Sequence, residues 1–320
     1  MAEATLKKIS QLTSLSIRSV ARALGGSAGI SEENRQKVLA TAARLGYTPN
    51  IAARNLRLRE NNIVGMVIPG CPVNTGNYIV SHKIFELELQ LEREGFFPLI
   101  GMDTGNSRDM LLLLRKWAGM VRSVIFLSWR VEEKPETLLR QLPMEFIFVD
   151  LASDFGHTLS IDRSIGIKEG LHALMKRSCR KLARCGNIDT RESGFESSLP
   201  ELARKKISFT HFSRETQWED GFALGEELIK GGFDGIFFDT DRMAFGFLKY
   251  CHFSGIRIPE KLAVIGFDDE LWDKCSCPSL STVAHPIEEV NNAICHLVKN
   301  PSPTPTHLQF NTRFIRRESV

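Results

Sequence analysis

Apolar side chains in the first 46 residues recur every three or four positions, which is the period of amphipathic helices. The pattern predicts one helix over about 5–12, a second over about 17–24 and a third between Ser31 and Gly46. Ser16 and Ser31 are good N-caps, and Gly25-Gly26 stops the second helix. The positions predicted to face inward are Leu6, Ile9, Leu12, Val20, Ala23, Leu24, Val38, Leu39, Ala42 and Leu45.

From residue 63 onward, short apolar runs alternate with helical stretches, which predicts parallel sheets covered on both faces by helices. The runs form two series, which predicts an α/β core of two similar lobes with a ligand cleft beyond the carboxyl ends of the strands. The first series is IVGMVIP, FFPLIGM, SVIFLS and EFIFVD, with helices over about 78–94, 107–119 and 135–141. The second is KLARCG, ISFTHF, GIFFDTD and KLAVIGFDD, with helices over about 192–204, 218–230 and 241–254.

The charge of the 320-residue chain is unevenly distributed. Residues 1–60 hold ten Lys or Arg and four acidic residues, a net charge of +6, whereas the remainder has a net charge of −3. A basic head on a weakly acidic body favours a polyanionic partner for the head, and a chance surface charge is the alternative.

Three short helices with a tight turn between the first two are typical of a helix-turn-helix unit, although small helical bundles share the pattern. In such a unit the second helix enters the DNA major groove. Ile17, Arg18 and Arg22 lie on the side of that helix away from Val20 and Leu24. Arginine can donate two hydrogen bonds to guanine, and an apolar side chain can contact a thymine methyl group.

The next segment, YTPNIAARNLRLRENN at 47–62, has the features of a hinge helix. It is too short to be stable alone, and it sets Leu56 among arginines. A protruding leucine can pry a base step apart in the minor groove while arginines hold the DNA backbone. The arginines around Leu56 are Arg54, Arg57 and Arg59. The alternative is that this segment is a plain polar linker.

These segments, TLKKISQLTSLSIRSVARAL and then ISEENRQKVLATAARLGYTPNIAARNLR, resemble the head of the lactose-repressor/galactose-repressor (LacI/GalR) family of bacterial transcription regulators. The family turn, usually Gly-Val-Ser, is here Ser14-Leu15-Ser16, and Gly25 replaces the usual Asn. The resemblance implies a helix-turn-helix domain at 1–48, a hinge helix and linker at 49–62, and a core at 63–320. It implies DNA contacts by Thr5, Ser16, Ile17, Arg18, Ser19, Arg22, Asn50, Ala53, Arg54 and Leu56.

The body resembles the effector-binding core of the same family, which is shaped like a periplasmic binding protein; VIGFDDELWDKCSCPSLSTVAHPIEEV at 264–290 is the strongest segment. The resemblance implies that Arg191 and Asp268 hold a small ligand, and their donors and acceptor suit a sugar or another polyol. The full effector-binding set that it implies is Asn77, Tyr78, Asp162, Arg191, Trp218, Thr240, Asp241 and Asp268.

Several positions depart from the family pattern and leave the ligand open. Thr240 replaces an amide, Arg184 stands at a normally apolar strand position, and Arg163 replaces an amide at the crossover between the lobes. In the cleft Arg163 would suit an anionic ligand such as a sugar phosphate; the alternative is a salt bridge to a neighbouring acid.

Nothing in the sequence indicates an enzyme or a cofactor. No metalloprotease motif or glycine-rich phosphate loop occurs, and the Cys275 and Cys277 pair has no second pair to complete a zinc site. No apolar run reaches the length of a membrane span, and the N-terminus has no signal-peptide core. We therefore expect a cytoplasmic protein whose seven cysteines are reduced.

The sequence predicts an effector-controlled, sequence-specific DNA-binding regulator that acts as a repressor. Its expected partners are a pseudo-palindromic operator DNA, a sugar or sugar phosphate, and a second copy in a homodimer, since the chain lacks the family's optional C-terminal tetramer helix. Two alternatives remain: a solute receptor, and a constitutive DNA-binding protein whose cleft is empty.

Overall fold

The computed structural model describes residues 5–25, 29–47, 61–70, 78–128 and 139–320. The chain divides into two compact units, Met1–Asn62 and Ile63–Val320.

The first unit is a three-helix head made of α1 (Leu6–Thr13), α2 (Ile17–Leu24) and α3 (Glu32–Leu45). Its helices begin at hydroxyl N-caps, Thr5, Ser16 and Ser31, whose side chains accept backbone N–H groups of the first turn. Gly46 ends α3 with a left-handed backbone, φ 63°. The small core of the head consists of Ile9, Val20, Ala23, Val38 and Ala42.

Two positions predicted to face inward are exposed: Leu12 is 44% exposed and Leu39 is 41% exposed. In α1 the residue after Leu12, Thr13, is buried instead. Its hydroxyl donates to the Ile9 carbonyl at 2.7 Å, so this buried polar group has a hydrogen-bond partner within the protein. In α3 the inward stripe follows Val38 and Ala42, and each residue turns by about 100° along a helix, so Leu39 points outward.

The first lobe of the second unit is a six-stranded parallel sheet in the order β11-β5-β4-β3-β1-β2. Three helices accompany it: α4 (Tyr78–Arg93), α5 (Ser107–Trp117) and α12 (Ile287–Lys299). The predicted helix at 135–141 lies largely outside the described residues. The strands are β1 (Ile63–Pro69), β2 (Phe97–Asp103), β3 (Ser123–Phe126), β4 (Glu145–Val149), β5 (His157–Asp162) and β11 (His307–Asn311).

The second lobe is a four-stranded parallel sheet in the order β7-β6-β8-β9. An antiparallel pair, β10 (Thr282–Ala284) and β12 (Arg313–Ile315), accompanies it. The strands of the parallel sheet are β6 (Lys181–Cys185), β7 (Ser208–Phe212), β8 (Gly235–Phe238) and β9 (Ala263–Ile265). The helices are α6 (Ser164–Lys176), α7 (Glu192–Glu196), α8 (Leu199–Arg204), α9 (Trp218–Ala223), α10 (Gly225–Lys230) and α11 (Asp241–Phe253).

Two predicted helices are each interrupted. The helix expected at 192–204 is split into α7 and α8, because Pro200 in the first turn of α8 has no N–H to continue the ladder. The helix expected at 218–230 breaks at Leu224, next to Gly225, where an added Cβ would come within 2.1 Å of the Tyr250 ring.

The chain passes between the lobes three times. It leaves β5 through Arg163 into α6, leaves β10 through His285-Pro286 into α12, and leaves β11 through Thr312 into β12. Helix α6 packs in the second lobe and α12 in the first. These crossings place residues from both lobes at one junction, beyond the carboxyl ends of β4, β5 and β9.

Candidate functional site

The exposed face of α2 carries the predicted reading side chains. Ile17, Arg18 and Arg22 are all exposed, whereas Val20 and Ala23 on the opposite side are buried. Ser16 accepts from the Ser19 backbone N–H at 3.0 Å and lies 2.9 Å from the Ser19 hydroxyl, so this pair fixes the start of the helix. The head therefore presents two arginines and an isoleucine from one rigid helix.

Thr5 caps α1 by accepting from the Lys8 N–H at 3.3 Å. The remaining predicted DNA contacts, together with one predicted effector contact, lie outside the described residues: Asn50, Ala53, Arg54, Leu56 and Asn77.

Arg191 and Asp268 meet at the lobe junction. Nη2 of Arg191 donates to Oδ1 of Asp268 at 2.9 Å, and both side chains are buried. The guanidinium also lies over the Phe267 ring, 3.9 Å from its centroid. Burial lowers the pKa of Arg191, and Asp268 opposes that shift. Burial alone would raise the pKa of Asp268, but Arg191 and His285 outweigh it and hold that pKa below its ordinary value.

His285 completes this group from the second crossover, although it was not among the effector-binding residues expected from the sequence. Its Nε2 lies 3.1 Å from Oδ1 of Asp268. Burial, helped by the nearby Lys83 charge, lowers its pKa to about 3, so the ring is neutral at pH 7. A neutral imidazole beside a carboxylate donates through that nitrogen, so Nδ1 is an acceptor. This Nδ1 is buried and has no partner among the described residues.

Arg163 forms the salt bridge that the sequence left open. It pairs with Asp150, the residue after β4, and Nη1 donates to the Ile161 carbonyl at 2.9 Å. Asp162 faces the first turn of α6, where Oδ1 accepts from the Ser164 N–H at 2.7 Å. This arrangement supports the salt bridge. It does not support a role for Arg163 as the partner of an anionic ligand.

Thr240 and Asp241 are bound within the second lobe. The Thr240 hydroxyl caps α11 by accepting from the Met243 N–H at 3.2 Å and donates to the Thr216 carbonyl at 3.2 Å. The fully buried Asp241 carboxylate accepts from the Thr282 hydroxyl at 2.6 Å and the Glu270 N–H at 3.0 Å.

The two aromatic residues of the predicted set have ring neighbours of their own. Trp218 stacks on Phe222 and lies under the Lys249 ammonium, 4.8 Å from the ring centroid. Tyr78, at the start of α4, stacks on His82. Neither contact reaches Arg191 or Asp268.

A cavity of about 140 Å³ opens beside this group in the first lobe. Its floor is apolar, with Val80, Ile84 and Leu127 among its residues, and Lys83, Asp150, His285 and Asn291 supply the polar atoms. Asp150 could have been found from its place at the end of a strand. Lys83 could not, because a lone lysine on a helix is ordinarily exposed.

Arg184, at the normally apolar strand position, is buried in β6. Nε and Nη2 donate to the two oxygens of Asp239 at 3.0 and 2.9 Å, and the guanidinium also pairs with Glu192. Nη2 donates to the Ile188 carbonyl at 3.1 Å, and Asp239 accepts the Ile188 N–H at 3.0 Å. Since Ile188 begins the turn Asp189–Arg191, this pair holds the turn that carries Arg191.

Within the described part of the chain, no group of three His, Cys, Asp or Glu side chains could hold a metal ion. Cys275 and Cys277 are exposed free thiols. No helix among the same residues is long and apolar enough to cross a membrane.

Comparisons with known proteins match either nearly all of the chain or its C-terminal part. The periplasmic binding protein-like domain family matches residues 171–320. The probable HTH-type transcriptional repressor ExuR of Bacillus subtilis is 25% identical to this chain, and the match covers 99% of this chain and 98% of the ExuR chain. The ribose operon repressor of Haemophilus influenzae is 24% identical over the same shares of the two chains.

Solved structures share the fold. The lac repressor dimer bound to operator and the anti-inducer ONPF superposes with a TM-score of 0.75 at 16% identity, covering 99% of this chain and 98% of that one. A LacI family regulator from Enterococcus faecium with bound ribose gives 0.67 at 21% identity, covering 81% and 98%. The head, the two-lobed core and these relatives agree: over nearly its whole length the chain is similar to transcription regulators of the LacI/GalR family.

Proposed function

We propose that the chain is a sequence-specific DNA-binding repressor controlled by a small effector, and that it is not an enzyme. The observation that carries this proposal is the rigid α2 face, with Ile17, Arg18 and Arg22 exposed above a packed core. The DNA major groove admits a single α-helix, and the N-terminal part of a recognition helix meets base edges there. Because its target is chromosomal DNA, the protein works in the cytoplasm.

The DNA contacts that we propose fall into two groups. The head supplies Ile17, Arg18 and Arg22 to bases and Thr5, Ser16 and Ser19 to the backbone. The hinge supplies Asn50, Ala53 and Arg54, with Leu56 as the minor-groove wedge. Since each half-site is read by one head, a homodimer would read a pseudo-palindromic operator.

We further propose that the effector, a sugar or sugar derivative, binds at the lobe junction. Arg191 and Asp268 are the contacts with the strongest support, because both are buried there with charged donors and acceptors. The ribose-bound relative is a precedent for a sugar in this fold. Tyr78, Asp162, Asn77, Trp218, Thr240 and Asp241 remain weaker candidates.

The effector acts by changing the balance between two conformations. A ligand that prefers one arrangement of the lobes shifts the population toward it by its difference in affinity. In a dimer the lobe arrangement sets the spacing of the two hinges, and so whether both heads reach their half-sites. Effector binding and operator binding are then thermodynamically linked.

We also propose a homodimer, in keeping with large apolar side chains that are exposed on the core. Phe85 on α4, Met102 on the edge strand β2, Phe253 on α11 and Trp272 are exposed, at 60–69% of their surface. We expect sedimentation at micromolar concentration to give a dimer. A monomer, or a stable tetramer, would contradict this assignment.

Arg22→Ala should weaken binding to the cognate operator by roughly 1–3 kcal/mol and relax the base preference at one position per half-site. The cause is the loss of the two hydrogen bonds that arginine gives to guanine. The measurement is a titration of cognate and random duplexes at fixed salt. Arg44→Ala, an exposed arginine on α3, is the control that should retain the preference. An equal loss on both duplexes would show that Arg22 reads only the backbone.

A further inference from the structure

We propose that the effector carries one negative charge, a carboxylate, that pairs with the ammonium of Lys83 in the cavity of the first lobe. This inference rests on the effector site proposed above. It names the class of ligand, an organic monocarboxylate such as a sugar acid, in place of a neutral sugar.

The charged groups that act on Lys83 are paired with one another. Four charged groups act on its ammonium: Asp268, Arg163, Asp150 and Arg191. They form two closed pairs, Arg163 with Asp150 and Arg191 with Asp268. The fifth titratable neighbour, His285, is neutral. Among these groups, the ammonium of Lys83 is the cation that has no described counter-ion.

Lys83 itself makes no hydrogen bond or ion pair with any residue in the described ranges. It lies on α4, only partly exposed, where the helix lines the cavity. A partly buried cation that has no partner among the described residues is costly, because protein atoms replace part of the water that would solvate it. An anion placed in the cavity would remove that cost.

The protonation state of Lys83 agrees with this role. Burial lowers its pKa from 10.5 to about 8, and the two arginines add to the shift, whereas Asp268 and Asp150 oppose it. At pH 7 the side chain is still mostly protonated. It therefore offers a positive charge that is poorly compensated in the free protein.

The other unsatisfied groups of the junction are mainly donors. Nε and Nη1 of Arg191 are buried and have no described partner, whereas Nδ1 of His285 is one unsatisfied acceptor. The cavity next to them has an apolar floor that suits the carbon skeleton of an organic ligand. A single ammonium without a described counter-ion matches a singly charged carboxylate better than a phosphate monoester, which brings a second negative charge.

The test uses the full chain without DNA, and acetate and acetamide as matched charged and neutral probes at constant ionic strength. Acetate should raise the unfolding temperature of the wild-type protein more than acetamide does, and Lys83→Met should remove the difference. Lys116→Met, an exposed lysine of α5 in the same lobe, should retain it. Lys83→Arg preserves the charge and should also retain it, which separates loss of charge from faulty folding.

Calorimetry then extends the test to larger ligands. Gluconate should bind at least about tenfold more tightly than sorbitol, as expected for one charge-assisted hydrogen bond. This preference should fade between pH 7 and pH 9, because Lys83 loses its proton as the pH passes the pKa of about 8. Tighter binding of glucose 6-phosphate than of gluconate would overturn the carboxylate assignment.

Equal effects of acetate and acetamide, or an acetate effect that persists in Lys83→Met, would overturn the proposal. Neither result depends on operator binding. A failure of the anion site is therefore distinguishable from a failure of the DNA-binding function.

Discussion

Arg184→Met should lower the free energy of unfolding of the core by about 3–5 kcal/mol, the usual cost of removing one partner from a buried ion pair. Arg184 lies within β6, and its two hydrogen bonds to Asp239 satisfy a carboxylate that is fully buried. Without the guanidinium, the Asp239 carboxylate keeps one hydrogen bond among the described residues, from the Ile188 N–H. Burial disfavours the charge of Arg184, but Asp239 and Glu192 outweigh burial and raise its pKa, so the guanidinium is charged at pH 7.

Chemical denaturation measures this loss, and a second variant separates its cause. In Arg184→Met/Asp239→Asn the stranded charge is gone while the acceptor for Ile188 remains, so much of the stability should return. Arg204→Met, an exposed arginine on α8, is the control and should change stability by less than about 0.5 kcal/mol. A loss below about 1 kcal/mol for Arg184→Met would show that the pair is not essential to the lobe.

Asp268→Asn should reduce the effector response of the operator complex by about tenfold to a hundredfold, and leave operator affinity without effector nearly unchanged. The carboxylate accepts from both Arg191 and His285, and hydrogen bonds to charged groups contribute about 1.5–3 kcal/mol. Asparagine has nearly the same shape as aspartate, so the substitution adds no new steric strain at the positive φ of 121°. The head forms a separate compact unit, so its reading face is untouched.

The measurement for Asp268 is a titration of the operator complex with effector, in the variant and the wild-type protein. Asp189→Asn, in the exposed part of the turn that carries Arg191, is the matched control and should respond normally. A normal response in Asp268→Asn would remove this residue from the effector site.

The head was predictable because short-range signals decide it. Hydroxyl N-caps and Gly46 mark the helix ends, and α2 has the predicted bounds, Ile17–Leu24. Leu12 and Leu39 were misplaced because the spacing of apolar residues does not fix the centre of a narrow buried stripe. Thr13 occupies a position in the buried stripe because its hydroxyl donates to the Ile9 carbonyl.

The core was predictable in class but not in connectivity. Buried runs such as β1 (Ile63–Pro69) stand out locally, whereas β11 joins the first-lobe sheet by pairing with β5, about 150 residues earlier in the chain. A short stretch of sequence carries no signal for such a long-range pairing of strands. The same holds for α6 and α12, whose lobes follow from the crossovers and not from their own sequences.

The effector site was predictable only in part for the same reason. The family resemblance pointed to Arg191 and Asp268, which the structure brings within hydrogen-bond distance. Lys83 and His285 join them because a helix and a crossover from elsewhere in the chain reach the junction. Local sequence patterns could not identify Asp150 as the partner of Arg163 either, since the two residues are thirteen positions apart in the chain.

The central claim is that this protein reads DNA sequence under effector control. The most direct test is selection from a random duplex library with the purified protein, with and without a pool of sugars, sugar acids and sugar phosphates. We expect a pseudo-palindromic site whose recovery changes with the pool. Enrichment that ignores the pool would contradict effector control by these ligands, and the absence of any enriched sequence would contradict the assignment as a sequence-specific regulator.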